Sequence, residues 1–509
     1  NRKVYMEFGI DYNRTFGLHK TTALILYNQS KYYSPSLQYY VPNAYQGLVG
    51  RLTYEYASRY LAEFNMGYNG TENFAKGKRF GFFPAVSLGW VISEEKFFPK
   101  NNIVKYLKVR GSYGEVGNDQ IGGDRFLYLP SSYGAASDSG VNKYNFGLAS
   151  NPYTSLMIVE NKIGNPDLTW EKAKKMNVGV DINLFNNCLT ASFDIFKEKR
   201  NNILANRSTS PMIIGANLPA YNFGEMENRG WEMDLNFRHH IQDFHYWARF
   251  NYSFARNEII YMDEVQKRYD YQMTTGRRKN QFFGLIFDGY YNSWEEINAL
   301  DRPKSSWSGN QLQPGDVKYV DVNQDGVIDD YDMVPIGYTP VPEIIYGFSF
   351  GAQYKGFDFS ILFQGADNVS IKYFGRSMWP FAKGEESAKS LIKERWTQER
   401  YEAGEKITFP RLSLNPNGET DHNYRPSTLW IRDASYLRLK NLEVGYTFTG
   451  GFVKRLNLNS VRLYFNGSNL FTWTDVVDLD PEAPSRSGNV EINTYPLQKV
   501  YNIGLNINF

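Results

Sequence analysis

Apolar side chains return at every second residue over much of this chain, and nowhere do they fill more than a few consecutive positions. Residues 4–13 set the pattern: Val4, Met6, Phe8, Ile10 and Tyr12 alternate with Glu7, Gly9, Asp11 and Asn13. Successive side chains of an extended strand project to opposite faces, so this segment has one greasy face and one wet face. Runs such as Ala23-Leu24-Ile25-Leu26-Tyr27 fall far short of the roughly 20 residues that a transmembrane helix needs. A β-barrel escapes that requirement, because it crosses a bilayer with strands of about 9–11 residues of which only alternate side chains meet lipid.

The alternation recurs along the chain. Leu52, Tyr54 and Tyr56, then Tyr60, Ala62, Phe64, Met66 and Tyr68, read as two strands joined near Ser58. Met176 to Leu184 and Leu189 to Ile195 flank an Asn186-Asn187 turn; Trp231 to Phe237 and Tyr246 to Phe254 follow. Further strands fit 344–354, 357–364, 435–448, 459–470 and 498–509, with others at 20–29, 84–92, 104–113 and 282–290. The total is about 15 or 16. Within 435–448 the apolar parity changes after Leu439, which predicts a β-bulge near Lys440-Asn441.

The connections alternate as well. Brief turns at Thr15-Phe16-Gly17, Ala57-Ser58-Arg59, Asn186-Asn187, His239-His240 and Lys355-Gly356 are interleaved with long insertions near 114–172, 199–228, 292–342, 365–433 and 471–497. Short turns on one rim and long loops on the other are the habit of outer-membrane barrels. One insertion, at Glu386 to Glu402, has helical composition. A soluble propeller or run of sandwiches is the competing reading, but no blade-length repeat is visible. The expected fold is therefore all-β, a transmembrane antiparallel barrel with long extracellular loops.

Composition closes off other functions. Lys+Arg 56 against Asp+Glu 54 leaves a net charge of +2, so there is no basic field to recruit nucleic acid. The single cysteine, Cys188, excludes a disulfide framework, and the five histidines form no HExxH pair. No Ser/His pairing or spaced carboxylate pair marks a hydrolase, so no enzymatic activity is expected. The aromatic share of 17% suits the interfacial girdles of a barrel.

The sharpest constellation is Asp321, Asn323, Asp325, Val327, Asp329 and Asp332, matching D-x-N-x-D-G-x-I-x-x-x-D. Side-chain oxygens at positions 1, 3 and 5, a carbonyl at 7 and groups at 9 and 12 can wrap one hard cation while Gly326 turns the chain, so a structural Ca²⁺ is expected. The insertion around it has little apparent apolar material of its own, which makes a cation the expected source of order. Arg376, Trp379 and Phe381 lie just past a strand end on the long-loop side, where aromatic faces and a guanidinium suit a sugar; loop packing is the plainer role for them. Arg51, Arg59, Glu55, Glu63 and Asp234 fall on the wet face and are expected to line the lumen.

The last nine residues, Tyr501 to Phe509, alternate to a terminal aromatic, as the assembly signal of outer-membrane barrels does. Pro314-Gly315-Asp316-Val317-Lys318-Tyr319-Val320-Asp321-Val322-Asn323-Gln324-Asp325-Gly326, Tyr346-Gly347-Phe348, Tyr354-Lys355-Gly356-Phe357-Asp358, Ser435-Tyr436-Leu437-Arg438-Leu439-Lys440-Asn441-Leu442 and Gly467-Ser468-Asn469-Leu470-Phe471 narrow the likeness. Over essentially its whole length the chain resembles the SusC-like (RagA-like) TonB-dependent transporters. That resemblance implies a 22-stranded barrel closed by an N-terminal plug above a TonB box. It also implies a SusD-like surface lipoprotein as lid, a dimer of transporter–lid pairs, TonB-ExbB-ExbD as energy source, and import of oligosaccharides or, in some members, peptides across the outer membrane. Residues 1–509 are then expected to be the C-terminal portion of the barrel, with the plug and first strands outside them, 292–342 the loop with the calcium motif, and 365–433 a second long extracellular loop.

Overall fold

A computed structural model describes residues 1–509 except 36–40, 121–124, 130–133, 136–142, 149–152, 157, 160–162, 210–217, 308–311, 374–378, 382–389, 415–420, 478, 483–488 and 491–496. Fifteen long strands form one antiparallel sheet in which each pairs with its neighbours in chain order, without a crossover. They are β1 (Arg2–Phe16), β2 (His19–Tyr33), β3 (Asn43–Tyr56), β4 (Tyr60–Thr71), β5 (Phe80–Val91), β6 (Val104–Asn118), β7 (Glu171–Leu184), β8 (Leu189–Ala205), β9 (Tyr221–Ile241), β10 (Phe244–Tyr261), β11 (Ile344–Tyr354), β12 (Phe357–Asp367), β13 (Tyr436–Phe448), β14 (Ser460–Thr474) and β15 (Val500–Asn508). By contact density the chain divides into two compact units, one of 1–182, 194–229 and 257–265 and the other of 183–193, 230–256 and 266–509.

In the first unit the register converts period two into two kinds of row. Tyr12, Ala23, Leu52, Phe64, Val86 and Tyr113 are successive partners across β1 to β6, and all but Ala23 are exposed. One residue along, Asn13, Thr22, Thr53, Glu63, Ser87 and Ser112 are partners on the opposite face. A one-residue slip would exchange these rows entirely, so the register is strongly specified. The second unit repeats the device: Phe250, Phe348, Phe363, Leu439 and Phe471 form one row, and Asn251, Gly347, Gln364, Arg438 and Thr472 the next. In the second-unit row Phe348 and Phe471 are exposed and Leu439 is buried; the continuous exposed apolar face of the first unit is a liability in water and is at rest against hydrocarbon.

The turns follow from residues that tolerate left-handed backbone. Ala57 and Ser58 take φ of 51° and 56°, Asn186 and Asn187 55° and 66°, and Lys355-Gly356 45° and 91°. Two successive positive φ angles match the twist of a tight hairpin. At Gly356 a Cβ would also lie 2.7 Å from the Thr447 carbonyl oxygen, so both conformation and space require glycine there. The predicted bulge is present: β12 and β13 pair Leu362 with Asn441 and Phe363 with Leu439, leaving Lys440 extra.

Three expectations are corrected. Strands run further than their apolar pattern: β6 continues to Asn118, β8 ends at Ala205, β9 begins at Tyr221 and β14 ends at Thr474, so the insertions read at 114–172, 199–228 and 471–497 are shorter. The reason is that ladders continue into water on charge pairing, as Lys197–Glu227 and Lys199–Glu225, each 2.9 Å, show across β8 and β9. The 282–290 segment is not a long strand but two short pieces, Phe283–Gly284 and Phe287–Tyr290, paired with loop residues. Within the described part of 386–402 the helix is split into a 3₁₀ turn at Ser390–Glu394 and an α-turn at Gln398–Glu402.

If the exposed rows face lipid, Phe348→Arg should cost roughly 2–4 kcal/mol near mid-membrane, whereas Asn251→Arg on the polar face should stay within about 1 kcal/mol. Reversible unfolding from lipid vesicles measures both, and equal costs would contradict the assignment of faces.

Candidate functional site

Two regions carry the polar chemistry. In the first unit the polar face of β2 to β7 is a wall of paired charges: Arg51 meets Glu63 at 3.0 Å, Lys20 meets Glu55 at 4.0 Å, and Arg59 meets Glu95 at 3.8 Å. Arg110 bridges Asp194 at 2.7 Å and Asp181 at 3.1 Å. Of these residues Lys20, Glu55, Glu63 and Arg110, with Lys108 and Ser112, border a cavity of about 390 Å³. The expected wet-face residues Arg51, Arg59, Glu55 and Glu63 thus neutralise partners on their own wall, and Asp234 accepts from Asn236 two residues away in the second unit. Such a wall offers hydrogen bonds without net charge, which suits polar solutes and presents no nucleophile with a base.

In the second unit the long connections fold on a shared core, contrary to the expectation that the 292–342 insertion is poor in apolar material. Leu285, Val317, Ile328, Tyr373, Phe409 and Trp430, drawn from two loops, are all almost fully buried. The Pro314-Gly315-Asp316 motif is the hinge of that packing. Gly315 has φ 93°, and a Cβ there would lie 2.5 Å from the Trp396 ring. Asp316, 3% exposed, accepts from the Gln313 amide (2.7 Å) and the Asn423 side-chain amide (2.8 Å) and pairs with Arg411 at 2.6 Å. Next to Asn423, His422 bridges two segments: Nε2 donates to the Val317 carbonyl (2.8 Å), which leaves Nδ1 to accept from Ser305 Oγ (3.2 Å).

The polar anchors between loop and sheet were not legible in the sequence. Arg438 of β13, 1% exposed, reaches Asp480 at 2.7 Å and Glu482 at 2.6 Å, and Tyr436 and Lys440 also bond Glu482. Glu343, at the foot of β11, is held by Arg256 at 2.8 Å and by Arg278. The only signal for either was a charged residue inside an otherwise apolar motif.

The 321–332 segment is ordered by its own backbone. Asp321 accepts from the Gln324 and Gly326 amides (2.7 and 2.8 Å), Asn323 from Asp325 (3.0 Å), Asp325 from Val327 (2.9 Å) and Asp329 from Tyr331 (2.7 Å). Asp332, wholly buried, takes the Val322 and Asp329 amides at 2.8 Å each. Tyr271 Oη and the Gln272 side-chain amide donate to the carbonyls of Tyr331 and Asp330, both at 2.7 Å, and tie the loop down. Among the described residues no three His, Cys, Asp or Glu side chains converge as a metal cluster. Of the expected sugar contacts, Arg376 lies outside the described residues; Trp379 packs on the loop core beside Tyr424, and Phe381 is half-buried with φ 60°.

Two outcomes test these anchors. Arg438→Met leaves Asp480 without its cation and Glu482 with only the 3.4 Å contact to Lys440, and should destabilise residues 479–482 by roughly 3–5 kcal/mol, read as hydrogen exchange there. Burial is the largest influence on His422 and holds its imidazole below the ordinary value, with Arg425 adding to it, while the Val317 carbonyl, Asp316 and Asp421 oppose it. The folded state thus prefers neutral His422, so the stability it contributes is complete above about pH 6.5 and declines as pH falls below that, where the unfolded chain takes up the proton. Exchange of 305–319 should rise between pH 7.5 and 5.5 after correction for intrinsic rates, and His422→Asn should remove most of that rise.

Comparison with known proteins places the fold. Residues 2–470 match the family model described as TonB dependent receptor-like, beta-barrel. The chain is 28% identical over 479 residues to TonB-dependent receptor P3 of Formosa agariphila, covering 90% of this chain and 45% of that protein. It is also 28% identical over 477 residues to TonB-dependent receptor SusC of Bacteroides thetaiotaomicron, covering 92% and 44%. Among solved structures it superposes on the RagAB peptide transporter with a TM-score of 0.73 at 22% identity, covering 100% of this chain and 56% of that one. The chain spans about half the length of these relatives. With a single meander of alternating faces and a family match across most of its residues, the chain belongs to the TonB-dependent receptor-like β-barrel family of outer-membrane proteins.

Proposed function

We propose that the chain is the barrel portion of a TonB-dependent importer of the SusC/RagA type, which takes up oligosaccharides with a SusD-like lipoprotein as lid and TonB-ExbB-ExbD as energy source. The observation that carries the reading is the family match over residues 2–470 of a sheet with one apolar and one charge-paired polar face. Long connections gathered on a buried aromatic core give the loop rim a fixed shape for a lid to meet. A dimer of transporter–lid pairs completes the proposal. The test is uptake of labelled oligosaccharide by cells making the whole protein, with and without TonB and the lipoprotein. Uptake should need both. Uptake that survives loss of TonB would mean a passive pore, and uptake of labelled oligopeptides alone would overturn the substrate class.

For the 321–332 loop we propose one structural Ca²⁺. Each carboxylate oxygen that accepts a backbone amide keeps a second lone pair, so the hydrogen bonds of Asp321, Asn323, Asp325 and Asp329 do not exhaust them. The ion would neutralise crowded carboxylates and play no catalytic part. Calcium should raise the thermal midpoint of the loop's unfolding, and Asp325→Asn should abolish the shift. Elemental analysis showing no calcium after equilibration at millimolar concentration would refute the site.

A further inference from the structure

Three of the five histidines lie on one hairpin, and the register sorts them onto opposite faces. The β9–β10 hairpin closes over Gln242-Asp243, with Gln242 at φ 52°. His239 shares its face with Phe237 and Tyr246, whose rings lie within 6.4 Å and 5.8 Å of it, and its Nδ1 is 3.4 Å from Cys188 Sγ. His240 and His245 stand on the other face, their rings stacked across the hairpin at 5.5 Å between centroids and 25° between planes. His245 is the register partner of Gln353, and Gln353 of Asp358, so the row continues in polar side chains. Asp358 is itself held by Arg462 at 3.0 Å.

The histidines differ in what occupies their nitrogens. His19 bonds Tyr54, His239 meets Cys188, and both nitrogens of His422 are engaged. Among the described residues His240 and His245 make no hydrogen bond or ion pair, and both are exposed. Two imidazoles on neighbouring strands, held by a two-residue turn, thus stand 5.5 Å apart on one face with nitrogens that no described residue engages. Imidazole is the preferred ligand of borderline divalent metals, and two such donors on a rigid hairpin lose little freedom on binding.

We propose that His240 and His245 form a two-histidine chelate for a divalent transition metal of the Ni²⁺, Cu²⁺ or Zn²⁺ class, on the polar face at the short-turn rim. The Gln353 side-chain oxygen is placed to approach as a further donor, and water fills the remaining positions. Only the neutral imidazole offers a lone pair to the metal. His239 and Cys188, on the opposite face, take no part.

Calorimetric titration of the untagged protein in detergent with Ni²⁺ tests this. Wild type should show one site at these residues; His240→Ala and His245→Ala should each weaken it about tenfold or more, and the double variant little further. His239→Ala and Cys188→Ser should leave it within about twofold, and retained heat-modifiable mobility on gels confirms that each variant folds. Three results would overturn the proposal: no Ni²⁺ binding by wild type, unchanged affinity in both single variants, or an equal loss from His239→Ala or Cys188→Ser.

Discussion

The backbone hydrogen-bond ladder is the interaction on which everything else rests. In hydrocarbon no water is available to an unpaired amide or carbonyl, so a strand can remain there only between two partners. The thirteen strands from β2 to β14 meet that demand by pairing in chain order. Once the ladder fixes register, period two in the sequence becomes two faces of different chemistry. Tyr12, Leu52, Phe64 and Val86 face one medium, and Asn13, Thr53, Glu63 and Ser87 the other.

The loops obey a different physics. They stand in water and cannot rely on lipid, so they build a core of their own from Tyr373, Phe409, Trp430 and their neighbours. Hydrophobic packing alone does not fix where such a core sits. Arg438 with Asp480 and Glu482, Glu343 with its two arginines, and Asp316 with Arg411 fasten loop to strand and loop to loop by charge that is mostly withdrawn from solvent. Removing one member of such a group leaves the others uncompensated, which makes these contacts specifying as well as stabilising.

How much of this the sequence shows depends on how local the signal is. The middles of the fifteen long strands, the turn residues Asn186-Asn187 and Lys355-Gly356, and the bulge at Lys440 are written in neighbouring residues, and each is found where expected. The outer ends of β8 and β9 were missed because Lys197 and Glu227 pair across strands while showing no apolar period. The loop core was missed because Leu285, Phe409 and Trp430 lie far apart in sequence and meet only after folding. Arg438 read as one polar residue in an alternating strand, and its partners lie more than forty positions on. His239 and His240 read as a turn, whereas the hairpin closes at Gln242-Asp243, and only its register sets His240 beside His245 and apart from His239.

The alternation of adjacent residues between two solvents underlies both faces of the sheet. It is tested most directly on β10, in a Cys188→Ser background carrying single cysteines at successive positions from Ala248 to Phe254, each spin-labelled in lipid vesicles. Oxygen, which concentrates in hydrocarbon, should relax labels at 248, 250, 252 and 254, whereas a charged water-borne relaxant should reach 249, 251 and 253. A smooth profile without the period of two, or the opposite parity, would contradict the account.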